Sequence, residues 1–205
     1  MLLHSEAKVE FFKKYIERYL RILYLAGHID EINIFDVFCG LGIYENEKKG
    51  SPIVAFDTIK NLCLEHDHSK KIQLIVNDGK KSNVMAVENY INENNTNYCS
   101  VEYNNLPADE MFRKMISIIG SQGLKTRNLI FLDPYGYKEI KASELRKLLD
   151  NHRTEIILFL PISQMQRFTV TAMENESKPY EPLRGFVYSF FFQAIIRSKN
   201  KRLLP

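Results

Sequence analysis

Long hydrophobic runs, cysteine and net charge are all scarce in this chain of 205 residues. No stretch reaches the roughly 18 consecutive apolar residues that a membrane-spanning helix needs, which argues against an integral membrane protein. Residues Met1 to Lys8 hold no signal-peptide apolar core, so the chain is expected in the cytoplasm. The three cysteines, Cys39, Cys63 and Cys99, lie far apart and form no metal-ligand spacing. They read as reduced, buried small hydrophobes, and no metal is expected. With 28 basic and 25 acidic side chains the formal charge is only +3. That permits a nucleic-acid partner without the strong basic footprint of a dedicated binder. The chain has no Gly-x-x-x-x-Gly-Lys-Ser/Thr phosphate loop and no Gly-x-Ser-x-Gly elbow, and kinase and triad-hydrolase readings fall away. His66 and His68 flank an acid at a polar helix end and read as solvated surface.

What is present is an ordinary globular composition, 45% hydrophobic, in a length that suits one domain with a real core. Val9, Phe12, Ile16, Leu20 and Leu23 recur at helical spacing and predict a first amphipathic helix, with Gly27 as its stop. The period then changes. Strands are predicted at Ile32–Phe38, Ile72–Val76, Tyr98–Tyr103, Leu129–Leu132 and Ile156–Leu160. Between them, helices are predicted from Ser51, with Ser as N-cap and Pro52 first in the helix, and from about Ser82 to Ile91. Two more are predicted, one from Pro107 with Met111, Met115 and Ile118 inward, the other over Glu144–Leu149. Strands alternating with helices define βαβ units, and runs such as Leu129-Ile130-Phe131-Leu132 suit strands buried on both faces. The expected fold is therefore α/β, a Rossmann-like three-layer sandwich on a mostly parallel sheet with five strands visible. Residues 1–163 form that domain with its N-terminal helix. Residues 164–205 add a loop over Thr171–Pro182, an apolar docking helix through Phe186, Phe190, Phe191, Ala194 and Ile195, and a basic tail at Arg197–Arg202. Asn92–Asn97 reads as a polar loop.

In an open parallel sheet, ligands bind at the carboxyl ends of the strands near the point where strand order reverses. Four strand ends carry suitable chemistry. The first has Asp36 and then Gly40-Leu41-Gly42, where glycines let the backbone turn tightly and approach a ligand; a plain strand-to-helix turn also wants them. The second has Asn77 and Asp78, either of which could grip ribose hydroxyls, while Asn-Asp-Gly is equally a turn sequence. The third has Asn104 and Asn105, placed to meet a purine edge or to shape a loop. The fourth has Asp133-Pro134-Tyr135-Gly136-Tyr137. There a carboxylate and the Pro134 carbonyl can accept hydrogen bonds from an exocyclic amino group. Tyr135 can stack on a flat ring, an interaction worth about 1–3 kcal/mol per base. The alternative is a proline turn with its aromatics tucked inward.

These landmarks, taken in order, resemble the three-Cys-motif partner protein family, a group with a Rossmann-type methyltransferase fold named for its genomic association with a cysteine-motif protein. The likeness runs from His4 to about Arg167. It rests on His4 and Lys8 ahead of the first helix, Asp36-Val37-Phe38-Cys39-Gly40-Leu41-Gly42, Gly50-Ser51-Pro52, Phe131-Leu132-Asp133-Pro134-Tyr135-Gly136-Tyr137, and Arg167 after the fifth strand. The cysteine motif belongs to the partner, so this chain's own cysteines are unrelated to the name. The resemblance implies S-adenosylmethionine as cofactor. Asp36, Phe38, Gly40 and Gly42 would line its methionine end, Asn77 or Asp78 would lie near the ribose and Asn105 near the adenine. Asp133 would face the sulfonium and the acceptor, with Pro134 and Tyr135 completing the catalytic set. The strand-end motif is similar to Asp-Pro-Pro-Tyr of adenine-N6 methyltransferases, and nearer at its third and fourth positions to Asp-Pro-Phe-Gly of tRNA guanine-N2 dimethyltransferases. The first part of the chain is also similar to a ribosomal-RNA adenine methyltransferase family with an N-terminal lysine. Asn77 departs from the family, which more often has an acid there, and the last strands of a full methyltransferase sheet are expected to be lacking.

The leading expectation is a methyltransferase acting on an exocyclic amine of an RNA or DNA base. The rival is a non-catalytic module of the same fold that binds a partner protein, such as the cysteine-motif protein. A nucleotide- or NAD-binding Rossmann protein is the third reading, weakened by the missing third glycine and the long loop before the second helix.

Overall fold

The computed structural model describes residues 3–44, 47–66, 69–95, 97–160, 169–174, 177 and 180–192. In chain order the elements are α1 (Leu3–Leu25), β1 (Glu31–Asp36), α2 (Ser51–Glu65), β2 (Lys71–Asn77), α3 (Lys81–Asn94), β3 (Ser100–Asn104), α4 (Ala108–Ser121), β4 (Thr126–Leu132), α5 (Ala142–Leu149), β5 (Thr154–Leu158) and α6 (Glu181–Val187). The five strands form one sheet in the order β3-β2-β1-β4-β5, with every neighbouring pair parallel. The fold is α/β and Rossmann-like, as the alternating pattern predicts. Two compact units are present, Met1–Asp133 with Asn151–Phe159, and Pro134–Asp150 with Leu160–Pro205.

In the first unit the period of two along each strand builds both faces of the sheet. Ile32, Ile34, Leu74, Val76, Leu129 and Phe131 share a core with Phe12, Ile16 and Leu20 of α1, Ile53, Phe56 and Ile59 of α2, and Val87 and Ile91 of α3. The Phe12 and Phe131 rings meet at 4.3 Å between centroids. Alternate residues Phe35, Ile75, Ile130 and Leu132 point to the opposite face and are also buried. The β3-α4-β4 connection crosses from one side of β1 to the other, and α4 buries Met111, Phe112, Met115 and Ile119. The inward partner at the end of α4 is thus Ile119, one residue on from the predicted Ile118, because the stripe follows the spacing from Phe112 and Met115.

Several predicted boundaries move. Lys8 lies inside α1 and not ahead of it, since the helix begins at Leu3. Gly50, not Ser51, takes the N-cap of α2, with no side-chain cap and Pro52 second in the helix. β3 begins at Ser100 because Asn95 Oδ1 accepts the Tyr98 N–H and Asn97 adopts φ +66°, a turn that keeps Tyr98 out of the strand. α3 runs on through Asn94, absorbing half of the expected polar loop. β5 ends at Leu158, short of the predicted Leu160.

The second unit has its own small core of Ala172, Leu183, Phe186 and Val187, against which Tyr137 and Phe190 pack. The Phe186 and Phe190 rings stack at 4.2 Å. The expected loop over Thr171–Pro182 is in part helical, with helix at 169–174 and α6 beginning at Glu181. The Arg184 guanidinium donates to the Ala172 carbonyl at 3.3 Å and ties those two segments together. His68, Arg167, Ala194, Ile195 and the Arg197–Arg202 tail lie outside the described residues.

Candidate functional site

Strand order reverses between β1 and β4, and the crevice at such a point is where α/β sheets hold ligands. Asp36 closes β1 directly opposite Phe131 of β4, and Asp133 follows two residues beyond that partner. β2, on the other flank of β1, ends in Asn77 and then Asp78. Asp36, Asp78 and Asp133 are thereby brought to one edge.

Asp36 is fully buried, and neither carboxylate oxygen has a hydrogen-bond partner among the described residues. Burial pushes its carboxyl from 3.8 up to about 7. The charges of Asp133 and Asp78 add to the rise, while the Ser51 hydroxyl and the Phe38 backbone amide oppose it without reaching bonding geometry. An anion so placed is costly unless something cationic compensates it.

Asp133 is differently supplied. Its Oδ1 accepts from Lys8 Nζ at 2.5 Å, both side chains being about one-third exposed (30% and 27%). The same ammonium sits 5.7 Å from the centre of the Phe159 ring, and the Phe159 N–H donates to Leu132 O at 2.9 Å. Lys8 did not figure among the expected site residues. The signal was present, because position 8 lies one helical turn before the buried Phe12 and so on the inward face of α1.

Asn77 and Asp78 are engaged in building the loops. Asn77 Nδ2 donates to Val37 O at 3.1 Å and Leu106 O at 3.2 Å, and its Oδ1 accepts the Leu106 N–H at 2.9 Å. An amide suits this position, since a carboxylate could not donate to two carbonyls. Asp78 Oδ2 accepts the Gly40 N–H at 3.0 Å and its Oδ1 accepts the Lys80 N–H at 2.8 Å. Asn105 is exposed, and its Nδ2 donates to Asp78 O at 2.8 Å. Asn104 is buried, and its Oδ1 accepts from Lys114 at 2.6 Å. Phe38 is half-buried beside them.

Both glycines of the turn have the left-handed backbone, φ +60° at Gly40 and φ +73° at Gly42. They differ in surroundings. A Cβ on Gly40 would meet only the Tyr44 hydroxyl at 3.6 Å, whereas one on Gly42 would strike Val87 at 2.7 Å. Gly40 therefore keeps space beside the backbone, and Gly42 serves close packing. The Gly50 N–H donates to Gly42 O at 2.5 Å, which holds the start of α2 and Ser51 against the turn.

Pro134 and Tyr135 open the second unit. Pro134 is buried and Tyr135 is 72% exposed. Among the described residues no group of three or more His, Cys, Asp or Glu is arranged to hold a metal ion. No helix among them is long and apolar enough to cross a membrane. A groove of about 770 Å³ runs between α1 and α2, lined by opposed charges such as Glu6, Glu10, Lys48 and Asp57, and does not include the strand-end carboxylates.

No protein-family model matches the chain, and no curated protein matches its sequence.

Proposed function

We propose that this chain is an S-adenosylmethionine-dependent methyltransferase acting on an exocyclic amine of an RNA or DNA base. The observation that carries the reading is Asp36, a buried carboxylate without a hydrogen-bond partner among the described residues, at the switch point of a parallel sheet and within the field of Asp78 and Asp133. Such an edge favours a ligand with positive charge. The cofactor carries an ammonium and a sulfonium, and the open side of Gly40 leaves backbone room for it, so the residues present fit the group. Asp36, Phe38, Gly40 and Gly42 would hold its methionine end, and Asp78 with Asn105 its nucleoside end. Asn77 is assigned to the loop clamp.

The cofactor supplies an electrophilic methyl group when bound. The protein's part is orientation. Asp133 Oδ1 accepts a hydrogen bond from the base amine, which turns the nitrogen lone pair toward the methyl carbon. Proximity of this kind is worth up to about 7–11 kcal/mol of barrier. Lys8 must first release Asp133, and the surplus proton of the methylated amine leaves to solvent through the same carboxylate. The roles of Pro134 and Tyr135 as second acceptor and stacking ring rest on the sequence motif alone. A base taken from a duplex must be flipped out of its stack.

One observation favours the rival, a binding module without turnover: Lys8 already neutralises Asp133. Calorimetry with S-adenosylmethionine, followed by transfer of a labelled methyl group to RNA and DNA, separates the two. The expected results are saturable heat, methyl transfer to a base amine, and an Asp133→Ala variant that still binds cofactor but transfers at least about 100-fold more slowly. Cofactor binding with no transfer to any base would favour the module. No heat at millimolar cofactor would overturn the reading.

A further inference from the structure

One side of α1 carries a row of aromatic rings that runs from the exposed Phe11 through the half-buried Tyr15 to Tyr19 in the core, and cations that the strand-end site does not use. Phe11, Tyr15 and Tyr19 stand one helical turn apart with near-parallel rings, 6.4 Å from Phe11 to Tyr15 and 6.2 Å from Tyr15 to Tyr19, at interplanar angles of 24° and 21°. Phe11 is 53% exposed, an uncommon condition for so large an apolar side chain, and its neighbour Phe12 is fully buried. Lys14 and Arg18 flank the rings. The rings, the cations and the edge strand β5 enclose a groove of about 480 Å³. Arg18 is exposed and makes no ion pair among the described residues, while Lys14 has only a long, exposed contact to Glu10 at 3.5 Å. Glu155 is the acid in the groove, and it is capped by a hydrogen bond from Tyr15 Oη.

The groove is joined to the strand-end carboxylate through contacts. The Phe11 ring meets the Phe159 ring edge-to-face at 5.8 Å. Phe159 lies beneath the Lys8 ammonium, and Lys8 bonds Asp133. A chain whose target base sat at Asp133 would therefore carry its neighbouring nucleotides onto Phe11 and Tyr15.

We propose that this groove is a binding site for single-stranded nucleic acid, with Phe11 stacking a base that flanks the target and Arg18 and Lys14 taking its phosphates. The proposal deepens the function above by naming the form of the substrate, and it rests on that reading only for the identity of the target base. Exposed rings flanked by cations recognise bases without sequence preference, because every base has a π-face, and a duplex hides those faces. The two cations are matched to the charge of a phosphate backbone, whose neutralisation makes binding salt-dependent.

Fluorescence anisotropy with a labelled mixed-sequence single-stranded RNA, and with the same sequence as a duplex, tests this on the full chain. Wild type is expected to bind the single strand more tightly than the duplex. Phe11→Ala should weaken single-strand binding by roughly tenfold, in line with the loss of one stacked base. Arg18→Ala should lower the slope of log affinity against log salt by about one phosphate contact. Both positions are exposed, so melting temperatures should stay within a few degrees of wild type. Equal affinity in wild type and both variants would overturn the proposal. So would a change of oligomeric state in Phe11→Ala with nucleic-acid affinity intact, which would assign the groove to a protein. Cofactor titration of the same variants separates this from the methyltransferase reading. Loss of strand binding with normal cofactor heat supports the groove, and normal strand binding without cofactor heat removes only the enzyme.

Discussion

Both edges of the sheet bury polar side chains, and they treat them in opposite ways. At the amino edge Asn33, Asn128 and Thr154 stand opposite one another on β1, β4 and β5. Asn33 donates to Asn128 at 3.3 Å, and Asn128 donates to Gln122 at 2.8 Å and to Thr154 at 3.4 Å. That ladder is neutral and largely pairs within itself. At the carboxyl edge Asn77 and Asp78 are equally well bonded, yet Asp36 between them and Asp133 is an acid with two unpaired oxygens. The difference teaches where to look for ligand chemistry. Burial of a polar group is common to both edges, and the uncompensated charge belongs to one.

The sharpest way to break this contrast is to titrate it. Burial raises the Asp36 carboxyl from 3.8 to about 7, so between those values the folded chain keeps a proton that the unfolded chain has lost. Its contribution to stability therefore falls as pH climbs through that window and stays low above it, by an amount on the order of 4 kcal/mol. Asp36→Asn removes the term. Relative to wild type, the variant should gain stability between pH 4 and pH 8, read from denaturant midpoints at the two values. A gap that does not change with pH would mean that Asp36 has a compensating partner in the free protein, and the argument for a cationic ligand would fall.

The next test concerns whether Asn77 builds the site or touches a ligand. Asn77→Ala abandons three hydrogen bonds and leaves Val37 O and both backbone groups of Leu106 without them, at a cost of about 2–3 kcal/mol. Asn77→Asp should be no better, because its carboxylate would face two carbonyls. Denaturant midpoints should drop in both variants. A variant with wild-type stability and a lost response to cofactor would return Asn77 to the ribose-binding role that the glycine-turn pattern predicts.

The strand ends were legible to within two residues. The apolar runs locate β1, β2 and β4, although β1 stops at Asp36 and not at the predicted Phe38, and β2 runs one residue past the predicted Val76. A parallel sheet then dictates that the residues at those ends share an edge. Asp36, Asp78 and Asp133 follow from that reasoning alone. Division of labour among them does not. Whether an Asn donates to carbonyls or faces a ligand depends on loops arriving from Val37 and Leu106, distant in sequence. Lys8 was hidden for a related reason. The amphipathic stripe shows its face, but the ion pair to Asp133 spans 125 residues and has no local signature. The Thr171–Pro182 stretch misled in the other direction, since its polar composition masks the short helices that Arg184 ties together.

The smallest expected effect lies at the amino edge and checks the contrast from its quiet side. Asn33 is buried, its one bond to Asn128 is long, and its Oδ1 has no hydrogen-bond partner among the described residues. Asn33→Leu keeps the same branching and heavy-atom count in a larger side chain, gives up that bond and also removes the orphaned amide oxygen. The two changes oppose each other, and Asn128 retains Gln122 and Thr154. Stability should therefore shift by less than about 1 kcal/mol, with no dependence on pH, and calorimetric response to cofactor should match wild type. A loss of several kcal/mol would show that the neutral ladder is as finely poised as the acidic edge. Unpaired buried polarity could then no longer distinguish a ligand site from a structural one in this sheet.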